Sequence, residues 1–335
     1  MSVAIPIAVV LALLLALNIG ANNSAASLAT AYGTGARTKR ESLFLIAVFA
    51  LLGASLSGSA VVETVGKSIV PEAVLSSELG LVIVVLLIAL AFITWANLMS
   101  VPVATTHALV GAIAGLGLYT GSLNTSKFTE IVLWWILTPV AAFAVNFLLG
   151  RFLYYKTLRY LTDRYTESDI VRILGLLLTV SGTYVAFSAG ANNSANCVGP
   201  LVGMGLVEPR AGAVLAGVAM AAGALLLGGR VLETVGKKIT EICVLRAVSV
   251  EFVGGSLILL ASLKGIPVSL AEIVTSGIIG FSCANQGFKT TFENKHVLRI
   301  AFLWFFVPFF AVGASYVLCV VYFDYGVAKL LASLF

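Results

Sequence analysis

The sequence predicts an all-α integral membrane protein built from two inverted-topology repeats of about five crossings each, with broken helices and re-entrant segments at the membrane midplane. Three observations predict this fold. The composition is very apolar, two polar strings each occur twice at the same spacing, and the basic residues gather in four segments.

The composition identifies a membrane protein. Hydrophobic residues make up 60% of the 335 residues, charged residues only 10%, and the mean hydropathy is +1.06. These values exclude an ordinary soluble domain. Residues 1–17 lack a basic residue before their apolar core, so we expect a retained segment and not a cleaved signal peptide. Apolar runs long enough to cross a bilayer recur along the chain, most clearly at 42–60, 79–98, 131–149, 211–228 and 300–322.

Two polar strings reveal a duplication. GANNSA occurs at Gly20–Ala25 and again at Gly190–Ala195, and ETVGK occurs at Glu63–Lys67 and again at Glu233–Lys237. In both strings the two copies are 170 residues apart, so one half of the chain repeats the other.

The basic residues predict the topology. Four segments, 37–40, 151–172, 230–246 and 289–299, hold 15 of the 20 Lys and Arg residues. The positive-inside rule places these segments in the cytoplasm and both termini outside. About five crossings then fit into each half. An odd number per half makes the second copy run opposite to the first, which is an inverted repeat.

The longest polar stretch, residues 151–168, separates the halves. A charge run of this kind is typical of a solvated linker, and a role in gathering anions is the alternative. We therefore expect a first inverted repeat over residues 1–150, a cytoplasmic linker over 151–168 and a second repeat over 169–335. The whole is expected to be a multi-pass protein of the plasma membrane.

Each GANNSA string places a glycine and two asparagines where an apolar helix would continue, and we expect the helix to break there. A break within the bilayer must line a cavity or face protein, because unsatisfied backbone groups are costly in lipid. The next half-helix would attract an anion, and the asparagine oxygens could bind a small cation. Alternatively, the glycines pack helices closely and the asparagines bond across them. Two matched copies favour the ligand site, as in transporters with discontinuous helices.

Each ETVGK string holds a carboxylate and an ammonium group four residues apart, on one face if helical. Glu63 with Lys67 and Glu233 with Lys237 are either interfacial ion pairs that reach water or sites where the glutamates bind a coupling cation or carry protons.

A third element, Pro102–Gly115, brings hydroxyl and imidazole groups to the start of a helix. Its polar members are Thr105, Thr106 and His107, and the alternative for His107 is a buried histidine with satisfied partners. A degenerate copy, Pro267–Gly280, carries Leu270, Ala271 and Glu272 in place of Thr-Thr-His. Trp135 and Pro139 are echoed further on by Trp304 and Pro308.

These motifs resemble the PiT family of inorganic phosphate transporters, which has a GANDxAN signature in each half, an ETIxK-like string after each, and PxSTTH before a glycine-rich helix. The matching positions here are Gly20 to Asn23, Gly190 to Asn196, Glu63, Glu233 and Pro102 to His107. Glu251 matches the glutamate that precedes the second copy of the third element.

The resemblance implies a secondary active transporter that imports a tetrahedral oxyanion with Na⁺ or H⁺ by alternating access. It implies a homodimer in the lipid bilayer, with no nucleic-acid partner, no enzymatic activity and no cofactor beyond a coupling Na⁺. The implied anion-site residues are Asn22, Asn23, Ser24, Thr105, Thr106, His107, Asn192, Asn193, Ser194 and Asn196. The implied coupling-cation residues are Asn23, Glu63, Asn193, Glu233 and Glu251.

The chain departs from the family pattern at both signature aspartates, which are Asn23 and Asn193 here. The stretch Asn18 to Ala36 is also similar to the family's shorter sulfate-permease branch. Phosphate at neutral pH keeps a proton and is best bound beside an acceptor, whereas sulfate has none and suits donors alone. We expect inorganic phosphate from the family's commonest activity, with sulfate as the alternative and an anion channel as a remote one. No GxxxxGK[ST] loop is present, which argues against ATP-driven transport.

Overall fold

The computed structural model describes residues 4–77, 79–98, 104–238, 244–293 and 295–324. Every regular element within these ranges is a helix. The predicted all-α class is therefore confirmed.

Helices of very different length make up the first half: α1 (Ala4–Ser27), α2 (Ala29–Gly33), α3 (Lys39–Ser57), α4 (Ser59–Glu63), α5 (Glu72–Ser77), α6 (Leu79–Leu98), α7 (Thr105–Tyr119) and α8 (Thr125–Leu148). The second half follows as α9 (Tyr154–Arg164), α10 (Glu167–Gly203), α11 (Pro209–Lys238), α12 (Val244–Leu263), α13 (Leu270–Gln286), α14 (Phe288–Phe292) and α15 (Lys295–Cys319). Single π-helical turns follow α4, α8 and α15.

Local sequence explains where helices α3 and α10 begin, because each starts with a capping residue. Thr38 caps α3, since its hydroxyl accepts from the Glu41 N–H while the Glu41 carboxylate accepts from the Thr38 N–H. Thr166 and Asp169 form the same capping box at the start of α10. Such reciprocal caps satisfy backbone donors that a helix start leaves unpaired.

Within the described residues, seven helical stretches are long and apolar enough to cross a membrane. Two shorter apolar helices, Leu79–Trp95 and Thr105–Tyr119, lie beside them. Side chains on the outer faces include many large apolar groups, such as Phe302, Phe305 and Phe309 on α15. The prediction of an integral membrane protein is confirmed.

The two halves are interleaved. Helix α1 packs along α11 and α3 along α10, while α7 packs along α15 and α8 along α13. Each pair joins one helix from each half. In the duplication, α1 corresponds to α10 and α3 corresponds to α11. The contact of α1 with α11 is therefore equivalent to the contact of α3 with α10.

The glycines of the two GANNSA strings lie at equivalent close contacts between these helices. A Cβ on Gly20 would lie 2.0 Å from the Met220 carbonyl oxygen, and a Cβ on Gly190 would lie 2.1 Å from the Ala50 carbonyl oxygen. Both members of one contact are 170 residues from their counterparts in the other. Backbone therefore meets backbone at two equivalent crossings, which only glycine permits.

Helix breaks at GANNSA are not found. Both strings lie inside continuous helices, the first near the end of α1 and the second in the middle of α10. Asn23 and Asn193 bond to each other across two helices, and Asn192 bonds to the segment before α13, so these side chains do not compete for the local helical backbone. The first bend comes later, at Leu28 between α1 and α2. The prediction of a break within the motif was wrong.

Contacts within or next to the four basic segments link these parts of the chain. The contacts that bring them together are Lys39 with Glu233, Ala36 with Gly175, and Gly150 with Ala284. Residues 154–164 of the predicted linker form α9, an amphipathic helix with mostly exposed side chains.

Candidate functional site

A cluster of polar side chains lies buried where the halves meet. Asn23 comes from α1, Asn193 and Asn196 from α10, and Thr106 from α7. Their exposed fractions are between 0% and 6%. We call these four residues the amide cluster.

Hydrogen bonds join the four side chains of the amide cluster. Asn193 Nδ2 donates to Asn23 Oδ1 at 3.1 Å, and Asn196 Nδ2 donates to Asn193 Oδ1 at 3.2 Å. Asn196 Nδ2 also donates to Thr106 Oγ1 at 3.0 Å, and that hydroxyl donates to the Val268 carbonyl at 3.0 Å. Three helices and the segment before α13 are thus connected through neutral groups.

Two polar atoms of the amide cluster take no part in these bonds. Asn23 Nδ2 and Asn196 Oδ1 are buried and have no hydrogen-bond partner among the described residues. Leaving a buried donor or acceptor unpaired costs about 1–3 kcal/mol. Such groups are the places where a polar ligand gains most from binding, and here one is a donor and the other an acceptor.

Asn192 positions the approach to α13. Its Nδ2 donates to Ser262 Oγ and to the Ile266 carbonyl, both at 3.0 Å, and its Oδ1 accepts from the Val268 N–H at 3.0 Å. These bonds fix the segment whose Val268 carbonyl accepts from Thr106. Asn192 therefore holds the acceptor of the amide cluster in place.

His107 lies next to the amide cluster and faces Glu272. His107 Nδ1 is 3.1 Å from Glu272 Oε1, and both side chains are almost fully buried. The Trp135 ring packs 3.9 Å from the imidazole, centroid to centroid, while its Nε1 donates to the Pro267 carbonyl. Glu272 was missed as a site residue; its place in the degenerate copy, opposite His107, was the available signal.

The remaining predicted anion-site residues lie beside the cluster or pack the helices. The hydroxyls of Ser24 and Ser194 bond to carbonyls of their own helices, and each fills the space over a glycine of the other half. Asn22 and Thr105 are half-buried. Pro102, which was predicted to precede Thr105, lies outside the described residues.

Glu251 is buried on α12 with an exposed fraction of 5%. Its carboxylate accepts a short hydrogen bond from Ser181 Oγ. Its role as a coupling-cation ligand stays a prediction.

Two residues of the ETVGK strings, Lys67 and Glu233, form ion pairs with residues outside the strings. Lys67 Nζ lies 2.8 Å from Glu72, and this carboxylate raises the pKa of Lys67 above its usual value. Glu63 is exposed. Glu233 lies 2.8 Å from Lys39 Nζ, which joins two of the basic segments. Neither glutamate takes part in the hydrogen bonds described above for the amide cluster. Binding of a cation by these glutamates stays a prediction.

Ligands suited to a transition metal are not grouped in the described part of the chain. In the ranges that the structure describes, no three His, Cys, Asp or Glu side chains come together as a metal site. The amide cluster offers only neutral oxygens, amide N–H groups and a hydroxyl, which suit reversible binding of an ion through hydrogen bonds.

Comparison with known proteins identifies the family of this chain. Residues 19–315 match the model of the phosphate transporter family. The sulfate permease CysP of Bacillus subtilis is 36% identical over 88% of this chain and 81% of its own. A relative in Pyrococcus furiosus, named as a phosphate permease, is 28% identical over 86% and 88% of the two chains.

A solved structure has the same fold. It is titled as the sodium-dependent phosphate transporter, superposes with a TM-score of 0.74 and is 26% identical. The match covers 96% of this chain and 100% of the other. Apolar spans, a duplicated GANNSA motif and a family match across both halves lead to one conclusion: the chain belongs to the phosphate transporter family.

Proposed function

We propose that this protein is a secondary active transporter that imports sulfate by symport with Na⁺ or H⁺, and that the amide cluster binds the anion between two inverted repeats. Binding alternates between the two sides of the membrane as the repeats move against each other. The observation that carries the proposal is the buried chain of neutral amides with a free donor at Asn23 Nδ2.

Sulfate suits this cluster because it carries no proton at neutral pH and needs only donors. The hydrogen bonds of the amide cluster join amides, a hydroxyl and a backbone carbonyl, and no carboxylate takes part in them. The similarity to a sulfate permease at 36% identity supports the same choice.

Phosphate is the second candidate. The family match and the solved relative both concern phosphate. The free acceptor Asn196 Oδ1 suits a hydrogen bond donated by the hydroxyl that phosphate keeps at neutral pH.

Chain direction supports the inverted orientation of the repeats. Asn23 contacts Asn193, and further along Ala36 contacts Gly175. Residue numbers rise along α1 and α2 while they fall along α10. Helices that match in the duplication thus pass each other in opposite directions, as inverted repeats require.

Coupling is needed on energetic grounds. Moving one charge across 100 mV costs about 2.3 kcal/mol, so a dianion enters an inside-negative cell against about 4.6 kcal/mol. Two monovalent cations cancel this electrical cost, and a third adds a net driving force.

The basic segments support a cytoplasmic position for the parts of the chain that hold them. We accordingly propose a multi-pass protein of the plasma membrane with both termini outside. Assembly as a homodimer, implied by the resemblance, stays a prediction.

Uptake into proteoliposomes tests the function. Labelled sulfate and labelled phosphate would each be offered with an imposed Na⁺ gradient and, separately, with an imposed pH gradient. We expect accumulated sulfate that excess phosphate does not displace. Accumulation of phosphate but not sulfate would show that phosphate is the substrate. Accumulation of neither anion would overturn the proposal.

A matched pair of variants tests the site. Asn193→Ala removes both hydrogen bonds at the middle of the amide cluster, whereas Asn18→Ala removes a bond from Nδ2 to the Leu14 carbonyl within the same helix. We expect uptake to fall at least about tenfold in Asn193→Ala, since 1.4 kcal/mol corresponds to tenfold, and to stay near wild type in Asn18→Ala. Equal activity of the two variants would remove the amide cluster from the transport site.

A further inference from the structure

Two pairs of equivalent residues meet across the boundary between the halves. Asn23 and Asn193 are separated by 170 residues and bond to each other. His107 and Glu272 each follow a proline, Pro102 and Pro267, by five positions in the third element and its degenerate copy. Their side chains approach to 3.1 Å. Residues that contact their own counterparts lie where an axis relating the halves would pass.

The second pair combines a base with an acid. One copy has become histidine and the other glutamate, so the pair is neutral overall when it holds one exchangeable proton. Loss of that proton would leave an uncompensated carboxylate in a buried site, which is costly. The proton therefore stays while the site is closed, and it can exchange only when the halves separate and admit water.

The surroundings hold the pair in place without neutralising it. The Trp135 ring packs against the imidazole, and the backbone of Trp304 lies beside it. Neither imidazole nitrogen has a well-aligned hydrogen-bond partner among the described residues, and neither does Glu272 Oε1. The groups are close enough to share a proton but are not locked into one bonded arrangement.

Several ionisable side chains that the structure describes on the neighbouring elements have partners of their own. The bonded carboxylates and cations are Glu251 with Ser181, Arg246 with Ser282, Lys127 with Glu130, and Asp324 with Tyr119. Cys197 on α10 donates to the Asn193 carbonyl, and Cys283 and Cys319 are buried thiols. Among these described groups, Glu272 is the carboxylate that pairs with His107.

Both members of the pair are tied to the amide cluster. Thr106, directly before His107, accepts from Asn196 and donates to the Val268 carbonyl. Val268 lies four positions before Glu272, on the segment that Asn192 fixes. A dianion in the amide cluster would therefore favour the protonated form of the pair through its negative charge.

We propose that His107 and Glu272 form the proton-binding site that couples anion movement to proton movement. The proton comes from water on the outer side, resides on the pair while the anion is bound, and passes to water on the inner side as the anion leaves. No covalent bond other than the N–H or O–H bond changes. This inference rests on the proposed function and names H⁺ as a coupling ion, whose charge offsets one of the two charges of the anion.

The test separates coupling from anion movement. In proteoliposomes, exchange of labelled for unlabelled sulfate would be measured without ion gradients, and accumulation would be measured with an alkaline interior and a pH dye inside. We expect Glu272→Gln to keep exchange but to lose pH-driven accumulation by at least about fivefold, the lower end of typical coupling between two bound species. The dye should then report no acidification with sulfate. Glu130→Gln, which removes a carboxylate exposed at the start of α8, is the matched control and should behave as wild type.

Several results would overturn the inference. Glu272→Gln could accumulate sulfate with the pH gradient as wild type does, wild type could respond to Na⁺ alone, or a folded Glu272→Gln could lose exchange as well. If Glu272→Gln does not fold, Glu272→Met, which also removes the carboxyl group, decides by the same readouts. Glu272→Asp, which keeps the carboxyl group, should restore part of the accumulation. Wild type that exchanges neither sulfate nor phosphate would instead defeat the proposed function.

Discussion

Replacing Gly190 by alanine tests the packing that brings the two GANNSA motifs together. The new Cβ would lie 2.1 Å from the Ala50 carbonyl oxygen and 2.7 Å from its carbonyl carbon. Favourable contacts between heavy atoms begin near 3.5 Å, so α10 and α3 must move apart by about 1 Å or more. The obstacle is helix backbone, which no side-chain rotation can relieve.

The expected loss of stability follows from two opposing effects. Overpacking a close contact costs about 1–3 kcal/mol, and a rigid backbone obstacle places this case at the upper end. Alanine recovers about 1 kcal/mol through its higher helix propensity. We expect a net loss of about 2 kcal/mol, which lowers the ratio of folded to unfolded protein by a factor of about 30.

Thermal unfolding of the purified protein in detergent measures the loss. A thiol-reactive fluorophore reports unfolding because Cys197, Cys283 and Cys319 are buried in the fold. Gly313→Ala is the control, since nothing lies within 4 Å of a Cβ at that exposed position on α15. Gly20→Ala should be destabilised like Gly190→Ala because it makes the equivalent contact with Met220.

The reasoning would be refuted if Gly190→Ala melted at the same temperature as Gly313→Ala. It would also be refuted if Gly20→Ala and Gly190→Ala had clearly different melting temperatures. Their close contacts are nearly equal, so such a difference would mean that the two halves do not pack equivalently.

Three further substitutions probe the cluster and its supports. Asn192→Ala removes three hydrogen bonds at the start of α13, and we expect a loss of about 2–4 kcal/mol in thermal unfolding at about 1 kcal/mol per bond, against little change for Asn18→Ala. Asn193→Asp sets a carboxylate oxygen about 3 Å from Asn23 Oδ1 in place of the donor. Uptake should fall about tenfold and recover in part when added Na⁺ compensates the charge; uptake independent of Na⁺ would contradict this. Trp135→Phe keeps a ring against His107 but loses the bond to the Pro267 carbonyl, so stability should fall by about 1 kcal/mol while sulfate exchange persists, and a variant without exchange would contradict this.

Much of the cluster was predicted from the sequence because duplication marks positions and not merely residue types. Asn23 and Asn193 were selected from the repeated string, Thr106 from the third element, and Asn196 from the resemblance to the family signature. The structure brings all four together. Both open interpretations of GANNSA contributed, since its glycines pack helices closely and its asparagines bond across them.

The prediction of broken helices failed for a physical reason. Asparagine disfavours a helix only while its amide competes for nearby backbone groups. Asn23 and Asn193 bond to each other across 170 residues of sequence, and no local pattern could reveal that the competition is absent.

The sequence by itself determined that this is a duplicated, multi-pass membrane protein, because hydropathy, repeat spacing and basic segments are properties of the chain alone. Only the tertiary structure decided that α1 lies along α11 and α3 along α10, that Lys39 meets Glu233, and that Glu272 faces His107. These partners are distant in sequence. Their contacts depend on how closely whole helices approach, and that approach is fixed by glycines whose role appears only when the opposing backbone is in place.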